Sequence, residues 1–102
     1  MSSTQKIFAA LIEKTDGAEL SQMFGKPCGK LNKKAFIVFF EDEVVFKIGR
    51  VQIEEWILIC KGSTNFDPSG KGRAMKDWLQ VPAMNKKYYE ELLALSLDFT
   101  FE

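Results

Sequence analysis

The sequence predicts one α+β domain, a mainly antiparallel sheet with flanking helices in the order α-β-β-β-β-α-β-α. Three observations lead to this prediction. Apolar residues recur at helical spacing near both ends of the chain and again around residue 55, whereas between residues 20 and 48 they follow strand spacing. Short turn motifs divide that stretch, and strands joined by short turns are antiparallel. A chain of 102 residues supports one hydrophobic core, so residues 1–102 are interpreted as a single domain.

The first element is a helix from about Ser3 to Thr15. Its apolar stripe has the spacing of one helix face and consists of Ile7, Phe8, Leu11 and Ile12. Ser2 and Gln5 match a capping box at its start, and Asp16-Gly17 ends it.

Four strands follow the first helix. We expect a strand from Leu20 to Phe24, a break at Gly25-Lys26-Pro27, and a second short strand from Cys28 to Leu31 that ends at the turn Asn32-Lys33.

The strongest strand signal comes next, at residues 35–40. This run is apolar on both faces, which predicts a central strand covered on both sides. A tight turn at Glu41-Asp42 leads into a half-buried strand at residues 43–48, so these two runs form a hairpin.

The segment 51–61 is ambiguous, because the run Trp56 to Cys60 also has strand propensity. The helical spacing of its apolar residues favours a helix. A loop is expected over residues 62–72 and a strand over 73–81. The last helix is expected to begin at Asn85 as N-cap, with Met84 and Tyr89 forming a hydrophobic staple.

Composition indicates an ordinary globular protein. Apolar residues make up 46% and charged residues 27%, and the 14 basic residues equal the 14 acidic ones. No stretch has the length and apolar character of a membrane span or the pattern of a signal peptide. Two separated cysteines favour a reducing compartment, so we expect a cytoplasmic protein without a membrane partner.

The residues available for catalysis are few. The chain has no histidine, the commonest general base and metal ligand, and two cysteines cannot complete a zinc site. The run Ser69 to Arg73 resembles a phosphate-binding loop but lacks the Walker spacing. The sequence therefore predicts no enzyme activity, no cofactor and no metal.

One thiol is an alternative reactive group. Lys26 and Lys30 flank Cys28, and nearby positive charge lowers a thiol pKa. A thiol-dependent enzyme or a redox sensor is therefore one alternative function, and a small buried side chain is the other interpretation of Cys28.

A cluster of lysines is the first candidate interaction surface. It contains no acidic residue and consists of Lys26, Lys30, Lys33 and Lys34. Such a cluster could contact phosphates, which makes a weak nucleic-acid-binding accessory protein a second alternative. The neutral net charge and the lack of interleaved aromatic residues make nucleic acid an unfavoured partner.

Trp78 is the second candidate for an interaction surface. It shares a strand face with Lys76 and Gln80, opposite Leu79 and Val81, so we expect it on the outer side of the sheet. An exposed aromatic there would anchor a homodimer. The other interpretation is that the helix near residues 53–60 crosses this face and buries it within the monomer.

Several short motifs of the chain occur together in one known family. They are Met23-Phe24-Gly25 after the first helix, the hairpin at residues 35–47, and the shorter runs Phe66-Asp67-Pro68, Val81-Pro82 and Glu91-Leu92-Leu93. Through these residues the chain as a whole shows a resemblance to the N-terminal domain family of TfoX, the Sxy-type regulators of natural competence. The resemblance implies an antiparallel sheet with flanking helices and a regulatory or protein-contact role without catalysis. We therefore expect a non-enzymatic regulatory or protein-interaction domain.

Overall fold

A computed structural model describes residues 2–101 of the chain. Within these residues one antiparallel sheet has the strand order β1-β2-β3-β4-β6-β5, which confirms the predicted α+β class. The elements, in chain order, are α1 (Ser3–Glu13), β1 (Glu19–Met23), β2 (Lys26–Leu31), β3 (Lys34–Phe40), β4 (Glu43–Lys47), α2 (Arg50–Ile59), β5 (Thr64–Phe66), β6 (Met75–Val81), a 3₁₀ helix (Ala83–Tyr88) and α3 (Tyr89–Phe101).

Three two-residue turns join β1 to β4. Both residues of each turn have positive φ, at Phe24-Gly25, Asn32-Lys33 and Glu41-Asp42. This is the type I′ conformation, whose twist matches that of the strands it connects. The last two turns were predicted, whereas the expected break at Gly25-Lys26-Pro27 was misplaced: the chain turns at Phe24-Gly25, and Pro27 lies inside β2.

The central strand β3 carries a β-bulge. Gly29 of β2 pairs with Ile37 and Lys30 pairs with Ala35, which leaves Phe36 as the extra residue. Phe36 and Ile37 both belong to the core under the helices, and Val38 belongs to the cluster on the opposite face. The prediction that this strand is covered on both faces is confirmed.

All three helices contribute to the main core on one face of the sheet. There α3 contacts β3 and β4, and α2 contacts β6, near the β5 end of the sheet. The predicted cap of α1 is confirmed in part, since the Ser2 Oγ accepts a hydrogen bond from the Gln5 amide at 3.0 Å.

The opposite face, called here the helix-free face, carries a second, smaller core. Its buried members all come from strands, and they are Cys28, Val38, Val45, Phe66 and Trp78. Larger side chains of the same sheet pack around them, and the rings of Phe40 and Phe66 meet edge to face with centroids 5.1 Å apart.

Two boundaries in the second half differ from expectation. The predicted loop 62–72 contains β5, which pairs with β6. The last helix starts at Tyr89. Asn85 is not its N-cap, since the side-chain amide of Asn85 donates to the Lys61 carbonyl oxygen at 2.9 Å. Met84 is 74% exposed, so the expected staple is not formed. The helical interpretation of residues 51–61 is confirmed by α2.

The helices were also compared with the requirements of a membrane span. Among residues 2–101, no helix combines the length and apolar character needed to cross a bilayer.

Candidate functional site

The four candidate lysines do not form one patch. Lys26 lies at the Met23 end of β2, whereas Lys33 and Lys34 lie beyond its other end. Lys26 and Leu31 are the two ends of the six-residue strand β2, about 17 Å apart, and Lys33 lies in the turn beyond Leu31. The Nζ of Lys26 stands 5.5 Å from the centroid of the Phe40 ring. The sheet thus divides the cluster into Lys26 at one end and the remaining lysines toward the other.

Trp78 lies on the predicted face but is not exposed. Only 5% of it is accessible, because Phe66 packs against it with ring centroids 6.4 Å apart and the Nζ of Lys47 lies 5.7 Å from its ring. The expectation of an exposed aromatic anchor is therefore wrong. The helix that was expected to cross this face, α2, lies on the other side of the sheet, and Phe66 and Lys47 of the sheet itself cover the indole.

The thiol of Cys28 is fully buried on the helix-free face. Burial raises its pKa, and the positive charge of Lys30 opposes this increase only in part. Cys60 is also buried, on the helix face, and burial raises its pKa too. A reactive thiol needs accessibility and a lowered pKa, and Cys28 has neither in this fold.

The glycine-rich run after β5 folds around an aspartate. The Asp67 carboxylate accepts four backbone hydrogen bonds, from the amides of residues 69, 70, 72 and 73, and a fifth from the Ser69 hydroxyl at 2.7 Å. The hydroxyl bond is the largest cause of the lowered Asp67 pKa. Converging amides of this kind bind anions. Here the anion is the chain's own carboxylate, so the resemblance to a phosphate loop has a structural explanation.

A groove lies between α2 and the β5–β6 edge of the sheet. It measures about 430 Å³ and is lined by Arg50, Ile53, Glu54, Ile57, Asn65, Ala74 and Lys76. Residues 2–101 contain no cluster of three or more potential metal ligands.

A surface that the sequence analysis did not identify lies on α2. The inner side of this helix is buried through Ile53 and Trp56. Its outer side exposes 77% of Val51, 82% of Leu58 and 38% of Ile59. We call these three residues the outer face of α2. A signal was present in the sequence, because five consecutive apolar residues at 56–60 exceed what one face of a helix can bury.

Comparison with models of known protein families, with curated proteins and with solved structures finds no match for this chain. The resemblance to the TfoX N-terminal domain therefore stays a prediction.

Proposed function

We propose that this domain is a non-enzymatic protein-interaction module that binds a partner protein through the outer face of α2. The observation that carries the proposal is that α2 exposes large aliphatic side chains, above all Val51 and Leu58, on the side away from the sheet. The apolar residues of a surface helix normally form one stripe that faces the core. Here the sheet covers only the inner side.

The outer face of α2 has the spacing of a recognition helix. Val51 and Leu58 stand seven residues apart, which is two turns or about 10 Å along one side of the helix. Helices that dock into apolar grooves use anchors at this spacing. Exposed Glu54 and Glu55 lie between the two anchors. The complementary partner therefore has a shallow apolar groove with a basic group near its centre.

Met84 is a further exposed apolar residue on an element next to α2. It is 74% exposed and belongs to the 3₁₀ helix, which Asn85 links to Lys61 just beyond α2. The rings of Trp56 and Tyr88 also meet edge to face at 5.7 Å, so the two helices are packed together. Among residues 2–101, seven large apolar residues are exposed, and four of them are Val51, Leu58, Ile59 and Met84.

The energetic gain from covering this surface is substantial. Complete burial of one large aliphatic side chain contributes about 1.5–3 kcal/mol. Because Leu58 and Val51 are both largely accessible, most of that contribution is still available to a partner. Clustered exposed apolar residues of this kind mark protein contacts more often than single ones do.

The same proposal accounts for the other sequence expectations. A regulatory role of the kind implied by the TfoX resemblance needs a binding surface and no catalytic group. We place the protein in the cytoplasm, because Cys28 and Cys60 are both free thiols. The separation of Lys26 from Lys33 and Lys34 supports a protein partner over nucleic acid.

Site-specific photocrosslinking in the source cell tests the proposal. A photoreactive amino acid at position 51 or 58 is expected to give one discrete protein adduct. The same group at Ala94, an exposed position on the α1 side of α3, gives none. Adducts of equal yield at all three positions, or none on α2, would overturn the proposal.

A charge substitution provides the matched control. Leu58→Glu abolishes the adduct formed at position 51, while Ala94→Glu leaves it unchanged. Both sites are exposed, so neither change is expected to alter the free energy of unfolding by more than about 0.5 kcal/mol. A salt series with DNA and RNA tests the nucleic-acid alternative, since phosphate contacts give steeply salt-dependent binding.

A further inference from the structure

The two edges of the sheet are protected to different degrees. The β5 edge has only three paired residues, a register shift between Asn65 and Phe66, and the Asp67-bound loop directly after it. The β1 edge is five residues long and regular in register, without lysine or proline. Short strands, bulges, lysines and prolines are the usual devices that prevent edge pairing. Apart from its modest length, β1 has none of them.

The hydrogen-bonding positions of β1 follow from its turn. Met23 and Lys26 close a two-residue hairpin, so they form a hydrogen-bonded pair, and pairs alternate from there. Residues 19, 21 and 23 therefore direct their backbone groups toward β2. Pro27 opposes Gln22 at a non-bonded position, which agrees with this assignment because proline has no N–H. The backbone groups of Leu20 and Gln22 point outward.

We propose that β1 pairs antiparallel with β1 of a second copy of this chain, about a two-fold axis at Ser21. The homodimer expected from the sequence is thereby assigned to this edge instead of Trp78. Leu20 of each copy opposes Gln22 of the other at the hydrogen-bonded positions, which gives four backbone hydrogen bonds. Ser21 opposes its own counterpart at the intervening non-bonded position, and the two sheets join into one of twelve strands.

The side chains of the edge are complementary under this pairing. Leu20 is 65% exposed and Phe24 is 62% exposed. Leu20 of one copy lies diagonal to Phe24 of the other, within reach of an aromatic ring. Glu19 opposes Met23 of the second copy and is paired with Lys30 within its own chain, so no like charges meet. Because of the two-fold axis, the contact between Leu20 and Phe24 forms twice.

The interface is small, and small interfaces give weak, reversible association. Sedimentation of the full chain from micromolar to several hundred micromolar is expected to show a monomer–dimer equilibrium. Leu20→Lys weakens the association constant at least about tenfold, the effect of one lost contact region. Thr64→Lys adds the same charge to the exposed β5 edge and leaves the constant unchanged. A monomer at every concentration, or a dimer unaffected by Leu20→Lys, would overturn the proposal.

A cysteine pair tests the position of the axis. Opposed residues at a non-bonded position have Cα atoms about 4.5 Å apart, which is within the range of a disulfide. Ser21→Cys is therefore expected to form a dimer disulfide on mild oxidation. Gln22→Cys, one residue away, opposes Leu20 and does not. Because Ser21 opposes Cys28 across β1 and β2 of the same chain, both variants are made in a Cys28→Ala background, so that no disulfide within one chain competes. Cys60 is buried on the other face of the sheet. Equal cross-linking of the two variants would refute this register.

Discussion

Gly29 lies where β2 packs closely against Ile12 of α1 and Ile37 of β3. A Cβ added there would lie 2.7 Å from Cγ2 of Ile37 and 2.8 Å from Cγ1 of Ile12. Carbon atoms prefer separations of about 3.5–4.0 Å, so the methyl group would overlap two side chains by about 1 Å. Gly29 does not have a positive φ. The cost of Gly29→Ala is therefore one of packing and not of backbone strain.

The expected size of this effect follows from two opposing contributions. Overpacking of a core costs about 1–3 kcal/mol, and replacing glycine by alanine restricts the unfolded chain, which offsets about 0.4–1 kcal/mol. We expect Gly29→Ala to lower the free energy of unfolding by about 1–2 kcal/mol. Urea unfolding followed by the fluorescence of Trp56 and Trp78 measures it. Both indoles are buried, so their emission reports loss of the fold.

A double-mutant cycle distinguishes overlap from other causes. Ile12→Ala removes one of the two side chains that the new methyl would overlap and leaves Ile37 in place. The cost of Gly29→Ala should therefore fall by at least about 0.5 kcal/mol in that background, without disappearing. Gly25→Ala is the control, because Gly25 has a φ of 73° and no atom within 4 Å of an added Cβ. Its cost should not depend on Ile12. A Gly29→Ala protein as stable as the wild type would refute the reasoning.

Three further predictions concern single side chains. Asp67→Asn should accelerate amide exchange in the loop that follows Asp67, because the carboxylate accepts hydrogen bonds from the amides of that loop. The folded-state pKa of Asp67 is lowered, so the stabilising effect of this carboxylate is present above the ordinary carboxyl pKa and is lost as the pH falls through the lowered value. Amide exchange in the wild-type loop that does not change in acid would contradict this. Tyr89→Phe should cost about 1–3 kcal/mol in urea unfolding, because the buried Tyr89 hydroxyl donates to the Val81 carbonyl oxygen at 2.7 Å. Burial raises the Tyr89 pKa, so this contribution is lost as the pH rises above about 10, the ordinary value for tyrosine, and a flat profile there would be inconsistent with the assignment. Cys28 and Cys60 should not react with an aromatic disulfide reagent in the native protein and should both react in urea; fast native labelling of Cys28 would restore the redox alternative.

The hairpins were predictable because local sequence determines them. Alternating or continuous apolar runs define β3 and β4, and Asn32-Lys33 and Glu41-Asp42 provide short polar turns. The spacing of apolar residues also selected the helix over the strand at α2. These elements depend on patterns within about ten residues of one another.

The errors arose where tertiary contacts decide the structure. β5 has three residues and buries only Phe66, so no period marks it. Asn85 has the chemistry of an N-cap, but its amide bonds to Lys61, which is remote in sequence. Alternation correctly assigned the face of Trp78 but could not show that Phe66 and Lys47 cover it.

The candidate surfaces were the least predictable part. The lysine cluster is contiguous in sequence, but a strand spreads it over its length. The outer face of α2 could not be identified before the side covered by the sheet was known. Both cases show that a residue list describes a surface only after the direction of each side chain is fixed.

The position of α3 over β3 and β4 has a consequence for synthesis of the protein. The strands β1 to β4 leave the ribosome before α3, and their two-residue turns allow them to pair early. Yet the side chain of Phe46 is sealed by Tyr89, whose ring centroid lies 5.3 Å away, and Phe36 meets Phe101. Until residues 89–101 are made, the nascent chain carries a paired sheet with an open apolar side. We expect the chain to be most prone to aggregation during that interval, because transiently exposed apolar surface favours it.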